Sequence, residues 1–174
     1  MRELRLERAR RAPGVTERLR VVSDSMQPTV RKGEAVEARL GAGLATVLAF
    51  GDLVVYADTT GQAVVHRVFG RRRYNGRPVV LEAGDANWSG SRLPADRVIG
   101  TVLLIHTSFG TINIRCRLAR WLGTLAALIV GGSIGLGRKC PPSRRFTCFP
   151  RRTFLRLHRG LLLRLCRVRT ECGP

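Results

Sequence analysis

The sequence predicts a mainly β chain: a small antiparallel β-barrel or folded sheet, followed by a transmembrane helix and a basic amphipathic helical tail. Three observations predict it. Short β-rich runs recur at spacings of about ten residues between 19 and 104. A charge-free apolar run occupies 121–137, and arginines crowd the chain beyond it. The expected boundaries are a lead-in over 1–18, the β domain over 19–115, the membrane helix over 118–137 and the tail over 138–174.

Met1 to Arg20 mixes arginines with acidic and apolar residues and contains no apolar run, so neither a secretory signal nor an amino-terminal anchor is expected there. Leu4, Leu6, Val15 and Leu19 support at most a short helix. From Leu19 the pattern turns to strands: Leu19 to Val22, Ala35 to Ala38, Asp52 to Tyr56, Ala63 to Val68, Arg77 to Glu82 and Arg97 to Leu104. Gly, Asp and Thr punctuate them, as turns between paired strands require. Between the second and third runs, Leu40 to Phe50 is apolar and glycine-bearing, and suits either lipid contact or a buried hairpin or helix.

Trp121 to Gly137 carries no charge and is bracketed by Arg120 and Arg138, whose long side chains can reach a polar interface. A transmembrane helix is expected, with a buried hairpin as the alternative. On a helical projection of 154–169, Phe154, Leu155, Leu157, Leu161, Leu162, Leu165 and Val168 fall on one side, with Arg156, Arg159, Arg164 and Arg167 opposite. That pattern suits a helix lying in an anionic membrane interface.

The 174 residues hold 31 basic and 12 acidic side chains, a net charge of +19. Residues 138–174 contribute eleven Arg or Lys and one Glu, so the tail alone carries +10. An anionic membrane surface is the expected partner; few aromatics are available to stack on bases, so no nucleic acid is expected. The five cysteines lie at 116, 140, 148, 166 and 172, without the close pairs of a zinc site. They are taken as free or lipid-modifiable thiols, and no metal or cofactor is expected.

The chemistry-bearing blocks lie between Val21 and Val102. Val22-Ser23-Asp24-Ser25-Met26-Gln27-Pro28-Thr29-Val30 places a serine at a strand end before a proline-stiffened segment, where its oxygen is held still. Val64-Val65-His66-Arg67-Val68 puts a histidine in a strand, and Gly84-Asp85-Ala86-Asn87 follows. Pro94-Ala95-Asp96-Arg97-Val98-Ile99-Gly100 leads into the last run. In type and order these blocks resemble the boxes of type I signal peptidases, membrane-associated serine proteases, over roughly half of the chain. The histidine is similar to that of the endoplasmic-reticulum and archaeal branch; the bacterial branch has a lysine there.

The resemblance implies that Ser25 is the nucleophile and His66 its general base, with the Ser25 N–H and the Ser23 hydroxyl as oxyanion donors. Met26 would pack beneath the nucleophile and line the substrate groove, supported by Pro28. Asp85 would orient His66. Relatives with a Ser-His pair carry a further Asp where this chain has Trp88-Ser89-Gly90-Ser91-Arg92, so Asp85, Asp96 or no acid at all remain open. Glu34 stands where the family has Asp. The implied function is a serine endopeptidase acting on signal or leader peptides at a cell membrane, as a single-pass protein anchored through its carboxyl-terminal part. Its partners would be those peptides and membrane lipid. The alternatives are a non-catalytic membrane-associated adaptor that keeps the fold, and a self-cleaving repressor-type protease, for whose DNA-binding helices the lead-in has no room.

Overall fold

Eight strands form one antiparallel sheet in the computed structural model, which describes residues 14–87, 89–137 and 148–168. They are β1 (Thr16–Arg20), β2 (Ala35–Leu40), β3 (Leu53–Ala57), β4 (Ala63–Tyr74), β5 (Arg77–Ala83), β6 (Ser91–Pro94), β7 (Val98–Thr107) and β8 (Gly110–Asn113). Two helices follow, α1 (Arg117–Gly137) and α2 (Cys148–Leu165). The lead-in before residue 14, Trp88, the stretch 138–147 and the end of the tail lie outside the described residues.

The sheet order is β1-β2-β7-β3-β4-β5-β6, with β8 also paired to β7. β1 and β6 are its two ends, and no pairing joins them among the described residues. The six expected strands are all present. β4 continues to Tyr74 and turns back through Asn75 and Gly76, both at positive φ (49° and 74°), the geometry of a two-residue hairpin loop matched to the sheet twist.

Alternation along β3 and β4 sends side chains to two cores. Leu53 and Val55 join Met26, Val36, Ile99 and Ile105 on one face. Val54 and Val68 join Val80, Leu93 and Leu48 on the other. The apolar stretch after β2 contains a short 3-10 turn, Leu44–Thr46, which buries Ala45 and Leu48 in the second core and leaves Val47 exposed.

Helix α1 corrects the expectation of a spanning segment over 118–137. Among the described residues no helix is long and apolar enough to cross a membrane. Two of the glycines that dilute its apolar character, Gly123 and Gly131, are contact points: a Cβ on Gly131 would sit 3.2 Å from the Phe69 ring, and Gly51, at φ +93°, lies so close that its Cβ would meet the Gly123 backbone at 2.5 Å. Ala119, Leu122, Ala126, Ala127, Val130 and Ile134 are buried at helical spacing, whereas Leu118, Trp121 and Leu128 are exposed.

Helix α2 also differs from the projected pattern. Its inward face consists of Arg151, Leu155, His158, Arg159 and Leu162, and Leu157, Leu161 and Leu165 point outward. Arg159 is on the buried side because it finds acceptors there: the carbonyls of Pro28 (3.2 Å) and Thr29 (2.7 Å) and the Glu34 carboxylate (2.5 Å). Arg151 donates to the carbonyls of Asp85 (2.9 Å) and Asn87 (2.6 Å). Burying a cation is tolerable only with such partners.

Substituting Gly51 with Ala should destabilise the protein by about 2 kcal/mol or more, through the left-handed backbone and the clash with Gly123. Gly132→Ala, in the same helix but facing open space, should instead stabilise by about 0.5–1 kcal/mol. Thermal unfolding of the two variants beside wild type measures both signs.

Candidate active site

The serine loop is fastened at both ends. Val21 donates to Glu34 O (2.8 Å) and accepts from Gly33 N (2.9 Å), while Val30 N returns to Met26 O (3.0 Å). The Gln27-Pro28 peptide is cis. Met26 is 1% exposed and packs in the first core, so it supports the loop from beneath and does not line an open groove, as had been expected of it. The Ser25 carbonyl accepts from Ala86 N (2.9 Å), and a Cβ on Gly84 would collide with that same carbonyl, so only glycine lets the two loops approach. Ser25 Oγ, half-buried, stands 3.2 Å from Ser23 Oγ. No hydrogen bond joins Ser25 to His66 among the described residues.

His66 projects from β4 on the face opposite Arg67. Its Nδ1 is bonded to Glu82 Oε2 and lies 3.2 Å from the Tyr56 hydroxyl. Glu82 in turn accepts at Oε1 from Ser91 Oγ and from Tyr56 (3.4 Å). The Tyr56 ring meets the imidazole edge-on, centroids 5.8 Å apart. Burial alone would raise the Glu82 carboxyl; the hydrogen bond and charge of His66, with the bonds from Ser91 and Tyr56, outweigh it and hold Glu82 below the ordinary range. An ionised Glu82 keeps the proton of a neutral imidazole on Nδ1. Nε2 is buried and has no hydrogen-bond partner among the described residues, so its lone pair is uncommitted.

Asp85 is placed elsewhere. Arg67 holds its carboxylate bidentately, Nε to Oδ1 and Nη2 to Oδ2, both 2.7 Å, and Thr29 Oγ1 donates to it at 2.5 Å. Both charges are buried, and Arg67 also reaches Gly51 O (3.0 Å). With its oxygens so occupied, Asp85 makes no hydrogen bond or ion pair with His66 among the described residues, and the acid bonded to the imidazole is Glu82. Asp96 lies exposed in a 3-10 turn, Ala95–Arg97, and makes no hydrogen bond to His66.

Sequence reasoning missed Glu82. The register pairs Arg67 with Ala83 and Val68 with Glu82, which puts His66 and Glu82 on one face as diagonal neighbours. The available signal was a lone carboxylate in phase with Val80 on an apolar strand. Among the described residues no group of three or more His, Cys, Asp or Glu is gathered for a metal. Cys116 and Cys166 are free thiols, and burial together with neighbouring Cys116 pushes Cys166 up to about 12. In comparisons with known proteins, no family model and no curated protein matches the chain.

His158 of α2 lies against the Arg67–Asp85 pair. Burial, then the Arg67 charge, pushes it from 6.5 down to about 4. Between those pH values the unfolded chain takes up a proton that the folded chain refuses, so stability falls as pH falls through that window. Asp85, held below its ordinary range against the effect of its own burial by Arg67 and Thr29, extends the loss to lower pH.

Urea unfolding at pH 7 and pH 4.5 should show this loss in wild type, and His158→Leu should remove up to about 3 kcal/mol of it. Asp85→Asn should cost roughly 3–5 kcal/mol at pH 7, because it leaves Arg67 buried without its counter-charge.

Proposed function

We propose that the chain is a serine endopeptidase that cleaves signal or leader peptides at a membrane surface, with Ser25 as nucleophile, His66 as general base and Glu82 as the group that orients the base. One observation carries this reading: His66 is held through Nδ1 by a buried carboxylate while Nε2 is left uncommitted, the arrangement a proton-accepting imidazole needs.

His66 Nε2 takes the Ser25 proton as Oγ attacks the scissile carbonyl. The tetrahedral oxyanion is met by the Ser25 N–H and the Ser23 hydroxyl, which already stands beside Ser25 Oγ. Collapse expels the amine, which takes the proton from His66, and water then repeats the sequence to release the acyl group. Glu82 stays ionised and stabilises the imidazolium. This step requires substrate binding to bring Ser25 Oγ within reach of His66 Nε2, since catalytic hydrogen bonds are commonly loose in the free enzyme. The exposed Trp121, Leu128, Leu157 and Leu161, with arginines beside them, favour a site of action at anionic lipid.

A second reading, a non-catalytic membrane-associated adaptor, is favoured by one observation, the missing Ser25-to-His66 hydrogen bond. Detergent-solubilised protein and a panel of leader-bearing substrates separate the two. The peptidase reading expects cleavage after a small residue, abolished in Ser25→Ala and His66→Ala. It also expects kcat to fall by about 10⁴ in Glu82→Gln, as when a triad acid is neutralised. No cleavage by folded wild type across the panel favours the adaptor.

A further inference from the structure

On the wall made by β4, β5, β6 and α1 lies a groove of about 370 Å³ whose lining includes Arg72, Arg73 and Arg92 and no acidic residue. We propose that this groove binds an acidic segment of the peptide substrate, an inference that rests on the peptidase reading for its place in the reaction. All three arginines are exposed, and none has a carboxylate partner in any ion pair among the described residues. Arg73 donates only to Gly76 O (3.3 Å), and Arg92 lies over the Tyr74 ring at 4.5 Å. Three unpaired guanidinium groups around one concavity repel one another, and an anionic ligand relieves that repulsion.

One residue links the groove to the candidate active site. Ser91 lines it and donates to Glu82, the residue bonded to His66. β6 ends the sheet and carries Arg92, while Arg72 and Arg73 stand two strands in, on β4, so the groove receives its charge from both strands.

Two features disfavour other polyanions. Bases would need free aromatic faces, yet Tyr74 is covered by Arg92, and Phe69 is wedged where a Cβ on Gly90 would stand 2.7 Å from its ring and one on Gly131 3.2 Å. Lipid would need exposed aliphatic side chains around the charges, and Tyr74 is the only large apolar residue of the lining that is exposed.

The test is the binding of a fluorescent Asp/Glu-rich peptide to full-length Ser25→Ala protein, with neutral and Lys-rich peptides of equal length alongside. Only the acidic peptide should bind. Its affinity should drop about tenfold in a variant also carrying Arg72→Ala, Arg73→Ala and Arg92→Ala, as three exposed charge pairs give together, and should weaken with salt. Arg156→Ala with Arg164→Ala, on the outer side of α2, should change nothing. Equal loss in that control, no loss in the groove variant while it remains folded, or tighter binding of a single-stranded RNA or an anionic vesicle through the same arginines would overturn the proposal. The binding needs no catalysis. Acidic-peptide binding by a wild type that cleaves nothing would therefore count against the peptidase reading alone.

Discussion

The Arg67–Asp85 ion pair is the constraint on which the rest of the site depends. Two charges taken out of water need complete pairing, and here the carboxylate receives two bonds from the guanidinium and one from Thr29. Those bonds draw together four parts of the chain: the serine loop through Thr29, the loop after β5 through Asp85, the turn before β3 through Gly51 and strand β4 itself. Because successive residues of a strand point to opposite faces, fixing Arg67 inward on one face sets His66 on the other. There Glu82 meets it.

Helix α2 completes that arrangement from outside. Its arginines act as donors to loop carbonyls that no strand satisfies: Arg159 to Pro28 and Thr29, Arg151 to Asp85 and Asn87. Part of the basic charge of this chain is therefore structural, used on backbone acceptors and on Glu34, while the exposed arginines near the tip of the β4–β5 hairpin have no carboxylate partner among the described residues. The same residue type serves two purposes, separated by burial.

Much of this was legible in the sequence. Six strands declared themselves by β-rich runs between turn residues. β6 and β8, four residues each and carrying Pro94 and Gly110, are too short and irregular to alternate visibly. Glu82 escaped because its meeting with His66 is decided by cross-strand register, which a single strand does not encode. The inward arginines of α2 escaped for a similar reason: a helical projection assigns charges to solvent, and the carbonyls that draw Arg159 and Arg151 inward belong to distant loops. Glycines in α1 look like weak points of a spanning helix until Gly51 and Phe69 are seen against them.

The claim at the centre of this account is that Glu82, and not Asp85, holds the imidazole so that Nε2 is free to act as base. NMR of the His66 ring, labelled with nitrogen-15 in otherwise native protein, tests it most directly. The account predicts a strongly deshielded Nδ1–H in the neutral ring, an unprotonated Nε2, and loss of the deshielded proton in Glu82→Gln. A proton on Nε2 with a bare Nδ1, or a spectrum indifferent to Glu82→Gln, would contradict it.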